Sequence, residues 1–232
     1  MEKQFVEVED GEEVAAVHHE ADSSKWIFLC HGFGGSKDRG NSRRAEFFNE
    51  KGWNAVRLDF RGNGESDGDF IDQGLSSRID DLKAVHSFFD PERSVVFGTS
   101  FGAKVVLHSG LGDAIALKSP VTFNSVMDRF REAVENKGRF EYIDGKPIDQ
   151  RFFADLDRYS FEDLQIERPV FISHGSMDQT VHPENSVKAL QRFEADVILQ
   201  RLQGEKHSYS EEAGEKLRKA MLDWAQVISE PR

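Results

Sequence analysis

Residues 94–107, SVVFGTSFGAKVVL, set a serine between two glycines, with an apolar strand running in and an amphipathic helix running out. No other feature restricts the possible folds of this chain as much. A strand-to-helix turn this sharp holds its central residue, Ser100, in a strained backbone conformation. Only glycines two positions before it, Gly98, and two after it, Gly102, leave room for strand and helix to cross, so the hydroxyl projects above the end of a sheet. This is a nucleophile elbow, and it predicts attack on a carbonyl carbon. The pattern occurs a second time, as Gly64-Glu65-Ser66-Asp67-Gly68. There it follows Arg61-Gly62-Asn63 and precedes Asp69 and Phe70, with no strand entering and no helix leaving, so Ser66 reads as a turn residue.

The rest of the chain supplies a sheet for such an elbow. Residues 4–8 and 14–19 read as antiparallel strands joined at Asp10-Gly11, a strong hairpin signal. Strands then follow at 26–31, 53–60, 95–97, 113–117, 169–173 and 195–202. Helical spacing marks 42–51, 75–89, the segment from 103, 184–193 and 211–227. This alternation predicts an α/β fold: a mainly parallel eight-stranded sheet with helices on both faces and ligands at the carboxyl ends of its strands. One connection, 119–167, is too long to be an ordinary loop. It reads as a small cap or lid, with a helix at 125–136, a hairpin at Asp144-Gly145 and many aromatic residues. These rings either pin the segment to the sheet or line a pocket, and Phe123, Phe130, Phe152, Phe153 and Val181 are the candidate substrate contacts.

At 232 residues the chain is long enough for one domain with a full core, and residues 1–232 are read as such, the cap included. A formal charge of −12, from 42 acidic against 30 basic side chains, disfavours nucleic acid and anionic membrane surfaces as partners. No apolar run reaches bilayer length and the amino end lacks a secretory pattern, so membrane insertion is not expected and a cytoplasmic location is. The lone cysteine, Cys30, sits in an apolar run as a core residue. No cluster has metal-ligand spacing, and neither a metal nor any other cofactor is expected.

A serine hydroxyl is a poor nucleophile until a base takes its proton, and the base needs a carboxylate to fix its tautomer and stabilise its cation. The loop after strand 169–173 carries Asp178 at a strand's carboxyl end. After the last strand, Gly204-Glu205-Lys206-His207 presents a histidine just before the final helix. Ser100, Asp178 and His207 are therefore the candidate catalytic residues, with His174 and His182 close enough to be rival bases. His18 and His19 read as exposed or edge residues, and His86 and His108 as helix residues. For the oxyanion, the candidate donors are the backbone N–H of Phe101, which opens the helix after Ser100, and that of Phe33 in the loop His31-Gly32-Phe33-Gly34-Gly35.

Together, His31-Gly32-Phe33-Gly34, the turn 59–66, Gly98-Thr99-Ser100-Phe101-Gly102, His174-Gly175-Ser176-Met177-Asp178 and Gly204-Glu205-Lys206-His207 resemble the α/β-hydrolase superfamily over nearly the whole chain. Within it, the short cap and single-domain length are similar to compact serine esterases related to cinnamoyl and feruloyl esterases and to monoacylglycerol lipase-like or serine-aminopeptidase-like hydrolases. The resemblance implies a Ser100–Asp178–His207 triad, oxyanion donors at Phe33 and Phe101, and a small-molecule ester substrate with a hydrophobic or aromatic acid. The same nucleophile would also serve a peptidase, thioesterase or acyltransferase, and a non-catalytic ligand-sensing protein could share the fold. Thr99, Ala103 and Lys104 depart from the residues usual around the elbow, which bears on substrate rather than mechanism.

Overall fold

The computed structural model describes residues 1–8 and 11–229. Strands Glu2–Glu7 (β1) and Glu13–His19 (β2) pair antiparallel with Glu7 opposite Glu13. The Asp10-Gly11 turn expected between them lies partly outside the described residues, because Asp10 is not among them. Trp26–Cys30 (β3), helix Asn41–Glu50 (α1), Asn54–Leu58 (β4), helix Leu75–Phe89 (α2), Ser94–Thr99 (β5), helix Phe101–Ser109 (α3) and Ala114–Lys118 (β6) follow in strict alternation.

Beyond β6 the chain leaves the sheet for the long insertion. A 3₁₀ turn at Asn124–Met127 leads into Asp128–Lys137 (α4), and Arg139–Glu141 (β7) pairs antiparallel with Pro147–Asp149 (β8) across the expected Asp144-Gly145 turn. A helix absent from the sequence reading, Gln150–Leu156 (α5), comes next, capped by Asp149, whose side chain accepts from the Arg151 amide. The chain re-enters the sheet at Val170–Gly175 (β9) and ends with Glu184–Leu190 (α6), Val197–Leu202 (β10) and Glu211–Ser229 (α7). Helix α6 stops before residue 193, because the Gln191 and Arg192 amides fold back onto Lys188 and Ala189 as a tight turn.

The eight strands lie in the order β1-β2-β4-β3-β5-β6-β9-β10. Strand β2 runs antiparallel to both neighbours and every other pairing in this sheet is parallel, as the alternation predicts. Parallel strands are buried on both faces, and period-two alternation sorts their side chains. In β3, Ile27 and Leu29 join the core under α1 and α7, while Phe28 and Cys30 join the larger core under α2, α3 and the insertion. Both faces are therefore closed, and the carboxyl ends of β3, β5, β6 and β9 meet at one rim.

Two histidines depart from expectation. His19 is buried with Arg57 Nε 3.3 Å from its Nε2, and His18 stacks on Trp26 at 5.1 Å. The aromatic and basic neighbours that cover them come from β3 and β4, whose placement alternation along a single strand does not reveal. No helix among the described residues is long and apolar enough to cross a membrane.

Candidate active site

Ser100 has φ 55° and ψ −116°, a left-handed conformation that few non-glycine residues adopt. The neighbouring glycines explain how it is reached. A Cβ on Gly98 would overlap the Gly102 carbonyl and Ala103, and one on Gly102 would overlap the His31 carbonyl, so neither site admits a side chain. Hydrogen bonds hold the strained residue on both sides. The Ser100 amide donates to Lys118 O at 2.8 Å, and the Ala103 and Val121 amides, each 3.1 Å away, donate to Ser100 O. The second G-x-S-x-G serine is a turn residue, as its context predicts: Ser66 Oγ donates to Asp59 O at 2.7 Å and accepts from the Ala15 amide at 2.8 Å.

Asp178 and His207 are brought together from loops after β9 and β10. His207 Nδ1 lies 2.7 Å from Asp178 Oδ2, while the Thr180 and Val181 amides, each at 2.9 Å, donate to Oδ1. The carboxylate is buried and His207 is 23% exposed. Burial alone would raise the Asp178 carboxyl, but hydrogen bonding from His174 and His207 and from the Val181 amide outweighs it and holds the group far below the usual aspartate range. With Nδ1–H committed to a permanent anion, Nε2 is the His207 nitrogen left to accept a proton.

The rival bases occupy other places. His174 is buried behind Asp178, its Nδ1 2.7 Å from Ser186 Oγ and its Nε2 2.9 Å from Val181 O and 3.4 Å from Asp178 Oδ2. It supports the carboxylate and the turn around it. His182 is exposed on the same loop.

The glycine loop after β3 packs directly against the elbow, since a Cβ on Gly32 would lie 3.3 Å from Ser100 Cβ and 3.9 Å from its Oγ. His31 fixes this loop. Its Nδ1 donates to Gly32 O at 2.8 Å and its Nε2 accepts from the Phe60 amide at 3.1 Å, an arrangement available only to the neutral ring. Burial lowers its pKa to about 4 and so keeps it neutral. The Phe101 amide opens α3, where the first N–H groups have no acceptor within the helix. The Phe33 and Phe101 rings meet edge to face at 5.1 Å.

The insertion sits on this loop. Tyr142 and Phe152 pack on the Phe33 ring at 5.1 and 5.2 Å, and Phe152 lies 5.7 Å from Phe101. Lys146 Nζ donates to Gly34 O at 3.1 Å and to Asn63 Oδ1 at 2.8 Å. Phe152 and Phe153 are buried in the core, and Phe153 lies under the Arg131 guanidinium. Phe130 is half-buried against Phe140 and Tyr142. Phe123, also half-buried, packs on Phe161 and lines a separate cleft of about 420 Å³ with Asn124 and His182. Buried Val181 serves Asp178 and His174 through its backbone.

A cleft of about 390 Å³ adjoins the site, with Gly32, Phe33, Thr99, Lys118 and His207 in its wall. A larger cavity, about 810 Å³, opens at the opposite, amino ends of the strands beside Trp26, Ser94 and Pro169. Lys118 is a site residue that sequence reasoning missed. Its carbonyl accepts from the Ser100 amide and its buried Nζ donates to His207 O at 2.6 Å, so one residue ties the backbones of both loops. Burial, reinforced by the nearby Arg44, brings its ammonium down to about 7. Cys30 is buried, and burial pushes its thiol well above the ordinary value. Among the described residues no group of three or more His, Cys, Asp or Glu side chains could hold a metal ion.

The profile of the prolyl oligopeptidase family matches residues 40–230. In sequence, the chain is 32% identical over 116 residues to the quorum-quenching protein AidA of Acinetobacter baumannii (strain MDR-ZJ06); the match covers 44% of this chain and only 38% of that protein. In structure, it superposes on Est1E from Butyrivibrio proteoclasticus, solved with ferulic acid bound, with a TM-score of 0.82 and 22% identity, covering 95% of this chain and 98% of that one. It also superposes on mouse alpha/beta hydrolase domain-containing protein 10, with a TM-score of 0.87 and 17% identity, covering 99% and 100%. The fold is that of the α/β-hydrolases.

Proposed function

This chain belongs to the prolyl oligopeptidase family of α/β-hydrolases, and from that premise we propose that it is a serine hydrolase cleaving carboxylic esters of small to medium hydrophobic or aromatic acids. Ser100 is the nucleophile, His207 the general base and Asp178 the residue that orients it. Oγ of Ser100 attacks the ester carbonyl as His207 Nε2 takes its proton. The Phe33 and Phe101 amides receive the oxyanion, and the imidazolium, steadied by Asp178, returns the proton to the leaving alcohol. Water, deprotonated by the same histidine, then cleaves the acyl-enzyme, and no cofactor takes part.

The observation that carries this reading is the occurrence, on loops of the same sheet rim, of a strained serine at a glycine-flanked elbow and of a histidine held at 2.7 Å by a buried carboxylate. Preference for an aromatic or hydrophobic acid is supported by the rings of Phe33, Phe101, Tyr142 and Phe152 beside the elbow, with the insertion acting as a cap. The ferulic acid bound by Est1E is an acid of this class.

The family match itself favours a second reading, in which the same residues cleave peptide bonds. A panel of p-nitrophenyl esters of increasing acyl length, a feruloyl ester and a set of aminoacyl p-nitroanilides separates the two. The ester reading requires kcat/KM on the best ester to exceed that on every anilide by about 100-fold or more, the equivalent of about 3 kcal/mol in transition-state binding. Faster turnover of an anilide assigns the protein to peptides.

A further inference from the structure

The cleft beside His207 has a charge balance opposite to that of the whole chain. Against a net charge of −12, its wall carries five cations, Arg39, Arg43, Arg44, Lys118 and Arg218, and one acid, Glu211. Glu211 is already occupied, paired with both Arg43 and Arg218, and Arg39 lies 3.4 Å from Asp144.

Arg44 and Lys118 make no ion pair with a carboxylate among the described residues. The Arg44 guanidinium lies over the Phe97 ring at 4.8 Å and gives one N–H to the neutral amide oxygen of Asn41 at 2.9 Å. Its Nε is buried without a hydrogen-bond partner among the described residues. Lys118 spends one N–H on His207 O and rests against the Tyr209 ring at 4.0 Å. Lys118 is buried and Arg44 partly so, neither is ion-paired among the described residues, and two such groups facing one cleft repel each other, which is costly for their charged forms. An anion in the cleft relieves both penalties and supplies the acceptors that the ammonium and the guanidinium edge lack.

We infer that this cleft binds a carboxylate or phosphate group carried by the substrate, so that the preferred ester is an anionic one. The inference rests on the esterase reading for its chemistry, because His207 lines the cleft and a group seated there lies within reach of the hydrolytic centre. It differs from that reading in naming a charge that the aromatic residues do not require.

The test compares neutral and anionic esters of matched shape: phenyl acetate with 3-acetoxybenzoate, and phenyl hexanoate with monophenyl adipate. The wild-type protein should favour the anionic member of at least one pair by about tenfold in kcat/KM, the scale of one well-placed charge contact. Lys118→Gln, which keeps a donor for His207 O, and Arg44→Gln should each bring that ratio to one or below. Inorganic phosphate should inhibit the wild type competitively and the variants far less. Equal turnover of both members in the wild type, or variants that slow both members equally, overturns the anion site while leaving the esterase reading in place. If no ester is turned over, calorimetric titration with phosphate decides alone: binding lost in the Lys118→Gln and Arg44→Gln variants supports the site, and no binding to the wild type at about 10 mM overturns it.

Discussion

Asp178 makes a measurable claim about pH. Its carboxyl is held far below the usual aspartate range by His174, His207 and the Val181 amide, so its folded pKa lies below its unfolded one. The resulting stabilisation is fully present above an ordinary aspartate pKa of about 4 and is lost as the pH falls toward the depressed folded value. Replacement by asparagine removes this linkage. Asp178→Asn should therefore be less stable than wild type at neutral pH by thermal melting, with the gap narrowing on acidification below about pH 4. The same variant should lower kcat by about 10⁴, because an amide does not hold the imidazole in the required tautomer or stabilise its cation. Near-normal turnover would place the orienting acid elsewhere. The sequence offered Ser100, Asp178 and His207 because each stands at a strand end in a short, distinctive motif. His174 was legible only as a neighbour, since its support of Asp178 depends on the turn through Val181 that folds the loop back on itself.

Most elements were readable because their apolar runs are uninterrupted. Strands β3, β5, β6 and β9 are bounded by turn residues, and α2 shows clear helical spacing. Helix α5 escaped because it spans only Gln150–Leu156 and its apolar residues also suit a loop packed on a sheet. The cleft cations escaped for a related reason. Arg44 on α1, Lys118 ending β6 and Arg218 on α7 each look like ordinary surface bases until the sheet assembles them. The insertion's aromatics divide by what they touch. Phe153, buried beneath Arg131, should act through packing: Phe153→Ala should cost about 3–5 kcal/mol of stability and leave the ratio of kcat/KM between a long or aromatic ester and acetate unchanged. Phe152 also touches Phe33 and Phe101, so Phe152→Ala should change that ratio by about tenfold, the worth of one apolar contact near the acyl group. The same ratio in both variants and the wild type would mean that these rings only hold the insertion down.

At the scale of the molecule, one sheet with closed faces leaves its carboxyl rim as the place where loops from β3, β5, β6, β9 and β10 converge. The amino-terminal rim carries the larger cavity but none of the residues of the elbow or the histidine loop. The net acidity of the chain makes the cationic cleft beside His207 a local exception, which charge counting along the sequence would average away. Every claim about substrate depends on one premise, that Ser100 is the nucleophile. A fluorophosphonate probe, which phosphonylates an activated serine and needs no knowledge of the substrate, tests it directly. Mass spectrometry of the digested adduct should find the label on Ser100. Ser100→Ala should abolish labelling and lower kcat by about 10⁴ to 10⁶, while Ser66→Ala should retain both. An adduct on Ser66, or active protein that takes up no label, would contradict the account.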